Sequence, residues 1–257
     1  MNHATMRKIG IACIFVTLLT GTAHTETRLD AKDINQFTAS MNDLEASVKV
    51  TQIDPKELEK IGSDFALNYR LKNMTLLYKS PDKLRIEGHS NLFGNALLIQ
   101  NGVSRFYAIP KLRLRKTEDL KDSPLKRLSL LEYAGLLGKD TLSYMQGKFV
   151  KEDKLDGKTV AVYELTYQSE NGGKSRYRLS IDPKTRITLK RIWFDAANKV
   201  KATFLYSDPQ ETSSGVFMPR KCEILNAEGI SAATMIYSAV KLDQGLEDAL
   251  FSVTPPQ

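Results

Sequence analysis

From residue 74 onward apolar positions recur every second residue, in short runs broken by turn residues. The first runs are 74–79, 84–89, 96–100, 104–109 and 111–115. Ser80-Pro81-Asp82 separates the first two, and Asn101-Gly102, a dipeptide suited to left-handed turn positions, separates the third from the fourth. The pattern resumes at 148–154, turns at Asp156-Gly157, and runs on through 159–167, 176–181, 187–194, 200–207, 215–225 and 231–242. It predicts about ten or eleven antiparallel strands at meander spacing, the signature of a sandwich or barrel.

Three stretches read as helical. Ile34, Phe37, Met41 and Leu44 recur at spacings of three and four, predicting a helix over 30–46 capped by Asp30. Asp54 followed by Pro55 predicts a helix start, with a helical patch over 55–68. Between Ser123-Pro124 and Gly138 lie six leucines, Leu125, Leu128, Leu130, Leu131, Leu136 and Leu137, with Tyr133 and Ala134. As one helix these wrap more than half its circumference, so it should be buried on more than one side.

Few helices are thus available to cover a large curved sheet. Either the core is fully packed, or a gap between the helical lid and the sheet leaves an apolar cavity. Alternation assigns the cavity wall to Leu76, Tyr78, Leu84, Ile86, Leu98 and Phe106, and the lid contributes Leu128, Leu131 and Leu137. A one-residue slip of register would exchange the two faces. In 111–116, "KLRLRK", strand alternation sends Leu112 and Leu114 inward and Lys111, Arg113 and Arg115 outward together. In 90–95, "SNLFGN", Leu92 and Phe93 sit in a turn. Leu92, Phe93, Lys111, Arg113 and Arg115 are therefore candidates for contact with a membrane or a protein partner.

The first residues change the picture of where this happens. Arg7 and Lys8 precede an apolar stretch over 9–20 and the small residues Gly21-Thr22-Ala23. This reads as a signal peptide, 1–23, cleaved after Ala23, with one domain over 24–257. Cys13 lies inside the apolar stretch rather than after it, which argues against a lipid-anchored cysteine, and Cys222 is then the one thiol of the mature chain. No disulfide within the chain is possible, and the core alone must hold an exported protein. Without Arg7 and Lys8 the formal charge of +7 falls to +5, which favours anionic envelope surfaces over nucleic acid as partners once the chain is exported.

Catalytic chemistry finds little footing. Of three histidines only His89 lies in the body of the chain. No zinc set, nucleophile elbow, Walker loop or dinucleotide fingerprint is present. The reading is of a non-enzyme.

The order of features resembles the periplasmic lipoprotein carriers of the LolA/LolB type and their wider superfamily. "YKSPDKLRIE", "IQNGVSRFYAIP", "IDPKTRI" with "DAANKV", and the ending "LDQGLEDALFSVTPPQ" are similar to successive pieces of that family and span most of the mature chain. The resemblance implies an α+β, mainly β fold, an unclosed antiparallel β-barrel with helices as a lid over an apolar cavity. It implies a periplasmic monomer without cofactor that shields acyl chains of lipoproteins or other lipids, in exchange with inner- or outer-membrane transport partners. It leaves room for an envelope sensor or protein-interaction module on the same fold. One departure is clear: the family's lid-holding arginine before the hairpin proline is replaced by Ser80, and the nearest arginine, Arg85, lies beyond the turn. The stretch over 110–150 is also longer than in simple carriers.

Overall fold

The structure is a computed structural model that describes residues 30, 32–68, 71–168, 172–212 and 215–254. The expected leader, its cleavage site and Cys13 lie outside the described residues.

Thirteen strands form one antiparallel sheet: β1 (Asp43–Ile53), β2 (Asn73–Lys79), β3 (Lys83–Ser90), β4 (Gly94–Asn101), β5 (Ser104–Ile109), β6 (Leu114–Asp119), β7 (Met145–Leu155), β8 (Lys158–Tyr167), β9 (Arg176–Ile181), β10 (Thr188–Phe194), β11 (Val200–Glu211), β12 (Phe217–Asn226) and β13 (Ser231–Leu242). The sheet order is β6-β5-β4-β3-β2-β1-β13-β12-β11-β10-β9-β8-β7. The chain therefore starts in the middle, meanders out to one edge, crosses to the other, and meanders back. β6 and β7 are not paired, so the barrel is unclosed. Residues 120–144, the connection between them, must span from one edge of the sheet to the other.

The helix expected over 30–46 is replaced by a 3-10 turn, Ile34–Phe37, capped by Asp33 rather than Asp30, and by the whole of β1. The three-and-four spacing through Met41 and Leu44 concealed a strict alternation of Leu44, Ala46, Val48 and Val50, all buried, with Glu45, Ser47 and Lys49. A pleated strand explains that pattern fully. Over 55–68 there are two short helices, α1 (Pro55–Ile61) and α2 (Ser63–Asn68). Asp54 caps α1, accepting from the backbone N–H of Lys56 and Glu57.

The single helix expected over 123–138 is also broken. Pro124–Lys126 is a 3-10 turn, α3 is Leu130–Ala134 and α4 is Lys139–Tyr144. Ser129, not Ser123, caps α3, through a capping box with Glu132. Gly135 ends it at φ 66°. The run 111–115 is not a strand either. Pro110–Leu112 is a 3-10 turn and Arg113 is left-handed at φ 51°, so β6 starts only at Leu114. Lys111, Arg113 and Arg115 therefore do not form one strand face, and Leu112 and Leu114 are exposed instead of buried.

Both faces of the sheet carry apolar clusters. The concave face holds the largest one, including Leu44, Leu76, Tyr78, Leu84, Ile86, Phe204, Tyr206, Met235 and Tyr237, together with α1, α2 and part of the lid. A second cluster joins Phe37, Leu131, Leu137, Tyr163 and Leu179. On the convex side Leu77, Ile99 and Phe106 are covered by Phe251, Leu246 and Leu250 of the C-terminal segment.

That segment is strapped down by Asp43. The carboxylate is buried and accepts from the backbone N–H of Gln244 at 2.8 Å, Gly245 at 2.8 Å and Leu246 at 3.0 Å. Lys79 donates to the Leu246 carbonyl and Arg85 to that of Leu250. Arg85 thus faces the outside of the sheet and serves the strap, not the lid.

Candidate functional site

The crossing segment lies over the concave face as a lid. Side chains from the sheet floor hold it by its backbone. Gln100 Nε2 donates to the Leu128 carbonyl at 2.7 Å, and the Leu128 N–H donates back to Gln100 Oε1 at 2.9 Å. Arg105 donates to the Lys126 carbonyl at 2.9 Å. Tyr206 donates to Leu131 O at 3.0 Å, and Tyr237 donates to Tyr133 O. Two further bonds come from backbone: Thr188 N–H to Gly135 O at 3.1 Å and Ala39 N–H to Leu137 O at 2.8 Å. Such bonds contribute about 1 kcal/mol each net, so together they outweigh any one of the leucine contacts.

Gly135 matters to this latch. A Cβ there would stand 2.8 Å from the Tyr206 ring, at a left-handed φ. Gly135→Ala is expected to destabilise the protein by about 2–4 kcal/mol, from the backbone penalty plus the clash. Urea unfolding reads this directly, and a variant as stable as the parent would show the lid free to move aside.

Beneath Tyr133, between lid and sheet, lies an apolar cavity of about 140 Å³. Its wall is Leu71, Met74, Ile86, Ala96, Leu97, Leu98, Tyr107, Ile109 and Met235. Ile86 and Leu98 are the two predicted wall residues that reach it. Leu76, Tyr78 and Leu84 share the concave face but are closed into the packed core. Leu128 packs against the same core, while Leu131 and Leu137 bury themselves in the second cluster, away from the cavity. Phe106 is on the wrong face. It pairs with Ile99 and packs under the C-terminal segment, and Tyr107, paired with Leu98, takes the inward position.

Phe93 is buried in the main cluster, and Leu92 beside it is exposed. The latch residues Gln100, Arg105, Tyr206 and Tyr237 escaped sequence reasoning, because each bonds to backbone far away in the chain and no local pattern marks it. Arg191 also lies buried inside the sheet, its guanidinium 3.7 Å from the Phe204 ring centre and 5.1 Å from that of Tyr177.

One lid carboxyl is electrostatically unusual. Asp140 lies in the first turn of α4 and is buried near Tyr78 and Tyr144. Burial, then repulsion by Glu132 and Asp82, pushes it up to about 7. A carboxyl raised in this way is protonated in the folded state while it is ionised in the unfolded chain. The folded state then binds more protons between about pH 4 and pH 7, and stability falls across that window as pH rises. Asp140→Asn should remove this slope. It should stabilise the protein by a few kcal/mol above neutrality, at about 1.4 kcal/mol per unit of displacement, and change little below about pH 4. Parallel denaturation of both proteins across pH tests it; identical slopes would refute it.

His89 stands on the convex face, its Nδ1 2.8 Å from Asn95 Oδ1, in an open groove of about 730 Å³ that also includes Lys49, Arg85 and Glu87. Cys222 is buried on the concave face, where burial pushes its thiol up to about 12. Among the described residues no group of histidine, cysteine and carboxylate side chains is placed to hold a metal ion, and no helix is long and apolar enough to cross a membrane.

The same architecture occurs in solved structures. An outer membrane lipoprotein-sorting protein domain from Vibrio parahaemolyticus is similar at 13% identity and a TM-score of 0.58, over 85% of this chain and 92% of that one. A LolA superfamily protein from Nitrosomonas europaea is similar at 13% identity and a TM-score of 0.59, over 85% and 94%. A DUF1329 family protein from Desulfovibrio piger is similar at 12% identity and a TM-score of 0.59, over 85% and 92%. At this identity the likeness concerns the fold alone. A family model described as "Uncharacterized protein" matches residues 128–254, and no curated protein matches.

Proposed function

We propose that this protein is an exported binder that shields the acyl chain of a lipoprotein or other lipid in the periplasm, as a carrier between envelope membranes. The observation that carries the reading is the apolar cavity of about 140 Å³ between Tyr133 of the lid and the floor of β2 to β5. A cavity of about 150 Å³ with such walls stays dry and accepts a benzene-sized guest. A longer chain needs the lid to lift, and the lid is held by hydrogen bonds that can break singly. The fold shared with lipoprotein-sorting domains supports the same reading. Cleavage near Ala23 and a monomeric mature chain belong to the proposal.

The test is direct. Purified protein, extracted and examined by mass spectrometry, should release lipid, or the empty protein should bind a fluorescent fatty-acid probe. Absence of both would end the proposal. The second reading, a sensor or protein-interaction module, is favoured by one observation, the dense set of bonds that seal the lid. It expects a stable protein partner and no amphiphile, so the same two assays separate the readings.

A further inference from the structure

We propose that the corner formed by residues 110–117 and the β3–β4 tip docks this protein on an anionic phospholipid surface, with the cavity next to the membrane. The corner is fully open: every residue from Pro110 to Thr117 is exposed. It presents Leu112, 58% exposed, and Leu114, 38% exposed. Leu92, at 61% the most open large apolar residue among the described residues, is brought beside them, because Lys111 Nζ donates to the Leu92 carbonyl at 3.1 Å. Two loops from different hairpins are thus tied into one patch.

The charge around these leucines has a single sign. Lys111, Arg113, Arg115 and Lys116 surround them, and no acidic residue occurs between Glu87 and Glu118. Glu118 itself is engaged by Lys116 and Arg105, which hold its carboxyl down at about 2. Exposed leucines among cations match a phospholipid interface, where the apolar groups sink below the level of the phosphates. An acidic protein would satisfy the cations but leave three leucines without a reason. β6 is the last strand of the sheet, so no neighbouring strand covers this corner.

The corner is also continuous with the cavity. Of the residues that line it, Ile109 is the last of β5, next to Pro110, and Ala96 stands two residues after Gly94, where β4 starts. A chain leaving the bilayer there would meet the cavity without crossing water. The docking surface goes beyond the acyl-chain reading and can be tested apart from it.

The experiment is co-sedimentation of the protein with phosphatidylcholine vesicles that contain or lack phosphatidylglycerol. Binding is expected only with phosphatidylglycerol, and salt should release it. The double variant Lys111→Glu/Arg113→Glu should lower partitioning by roughly tenfold or more, and Leu92→Ser/Leu112→Ser should lower it as well. Lys151→Glu/Lys154→Glu, on the opposite edge strand β7, should leave it unchanged. Equal binding to both vesicle types overturns the proposal. So does an equal loss in the β7 variant, or capture of an acidic protein by a chain that binds no vesicles. Uptake of the fatty-acid probe in vesicle-free solution should be the same in all three variants. Intact uptake with failed docking removes this proposal alone, and intact docking without uptake removes only the cavity reading.

Discussion

Ala96→Trp is expected to abolish uptake of an apolar probe while the sheet remains folded. Ala96 is half-buried at the cavity wall, where β4 begins, and its side chain faces the space under Tyr133. An indole at this position fills the cavity that a hydrocarbon would occupy. Each methylene denied burial costs the guest about 0.8 kcal/mol, so excluding five or six costs about 4–5 kcal/mol. That is roughly a thousandfold in affinity. The matched control is Ala108→Trp, whose position pairs with Leu97 on the outer side. Probe titration should separate the two variants, with the control close to the parent. Full binding by Ala96→Trp would place the guest elsewhere.

Asp43→Ala carries the largest expected loss of stability. Its carboxylate accepts three backbone N–H groups of the C-terminal segment, all at 3.0 Å or less. Hydrogen bonds to a charged acceptor contribute about 1.5–3 kcal/mol each. These bonds are coupled through one side chain, so a total of about 3–5 kcal/mol is expected, and not their simple sum. Releasing the segment also uncovers Leu77, Ile99 and Phe106. The variant should unfold at lower urea and aggregate on standing. Asp43→Asn keeps one acceptor oxygen and should lose about half as much. An alanine variant within about 1 kcal/mol of the parent would show that Phe251, Lys79 and Arg85 alone hold the strap.

The hairpins were legible because their turns carry chemistry. Gly102 and Gly157 follow Asn101 and Asp156, and both glycines have the positive φ that such turns require. Leu98, flanked by Leu97 and Ile99, carries no mark of its face, whereas Ile86, flanked by Arg85 and Glu87, was assignable to the inner face from its own strand. Phe106 was not, since "RFYAI" is apolar on both sides. The outer face there is covered by a segment from the far end of the chain, and alternation carries no information about such a cover. The lid failed differently. Its leucines announced burial, but helix length was read across Gly135, where the backbone turns left-handed. What ties the lid down, Gln100 and Arg105, looks in sequence like ordinary polar residues of a strand.

The order of the sheet has a consequence for how the chain assembles. Every ladder but one joins strands adjacent along the chain, and can zip from a local hairpin. The exception is β1 with β13, where Leu44 meets Leu242. Closing so long a loop is slow rather than destabilising, because its entropy grows only with the logarithm of length. Two half-sheets should therefore mature separately and knit at this seam last. Until β13 has emerged, one side of β1 stays unpaired, which makes the new chain most vulnerable to aggregation just before that last strand is in place.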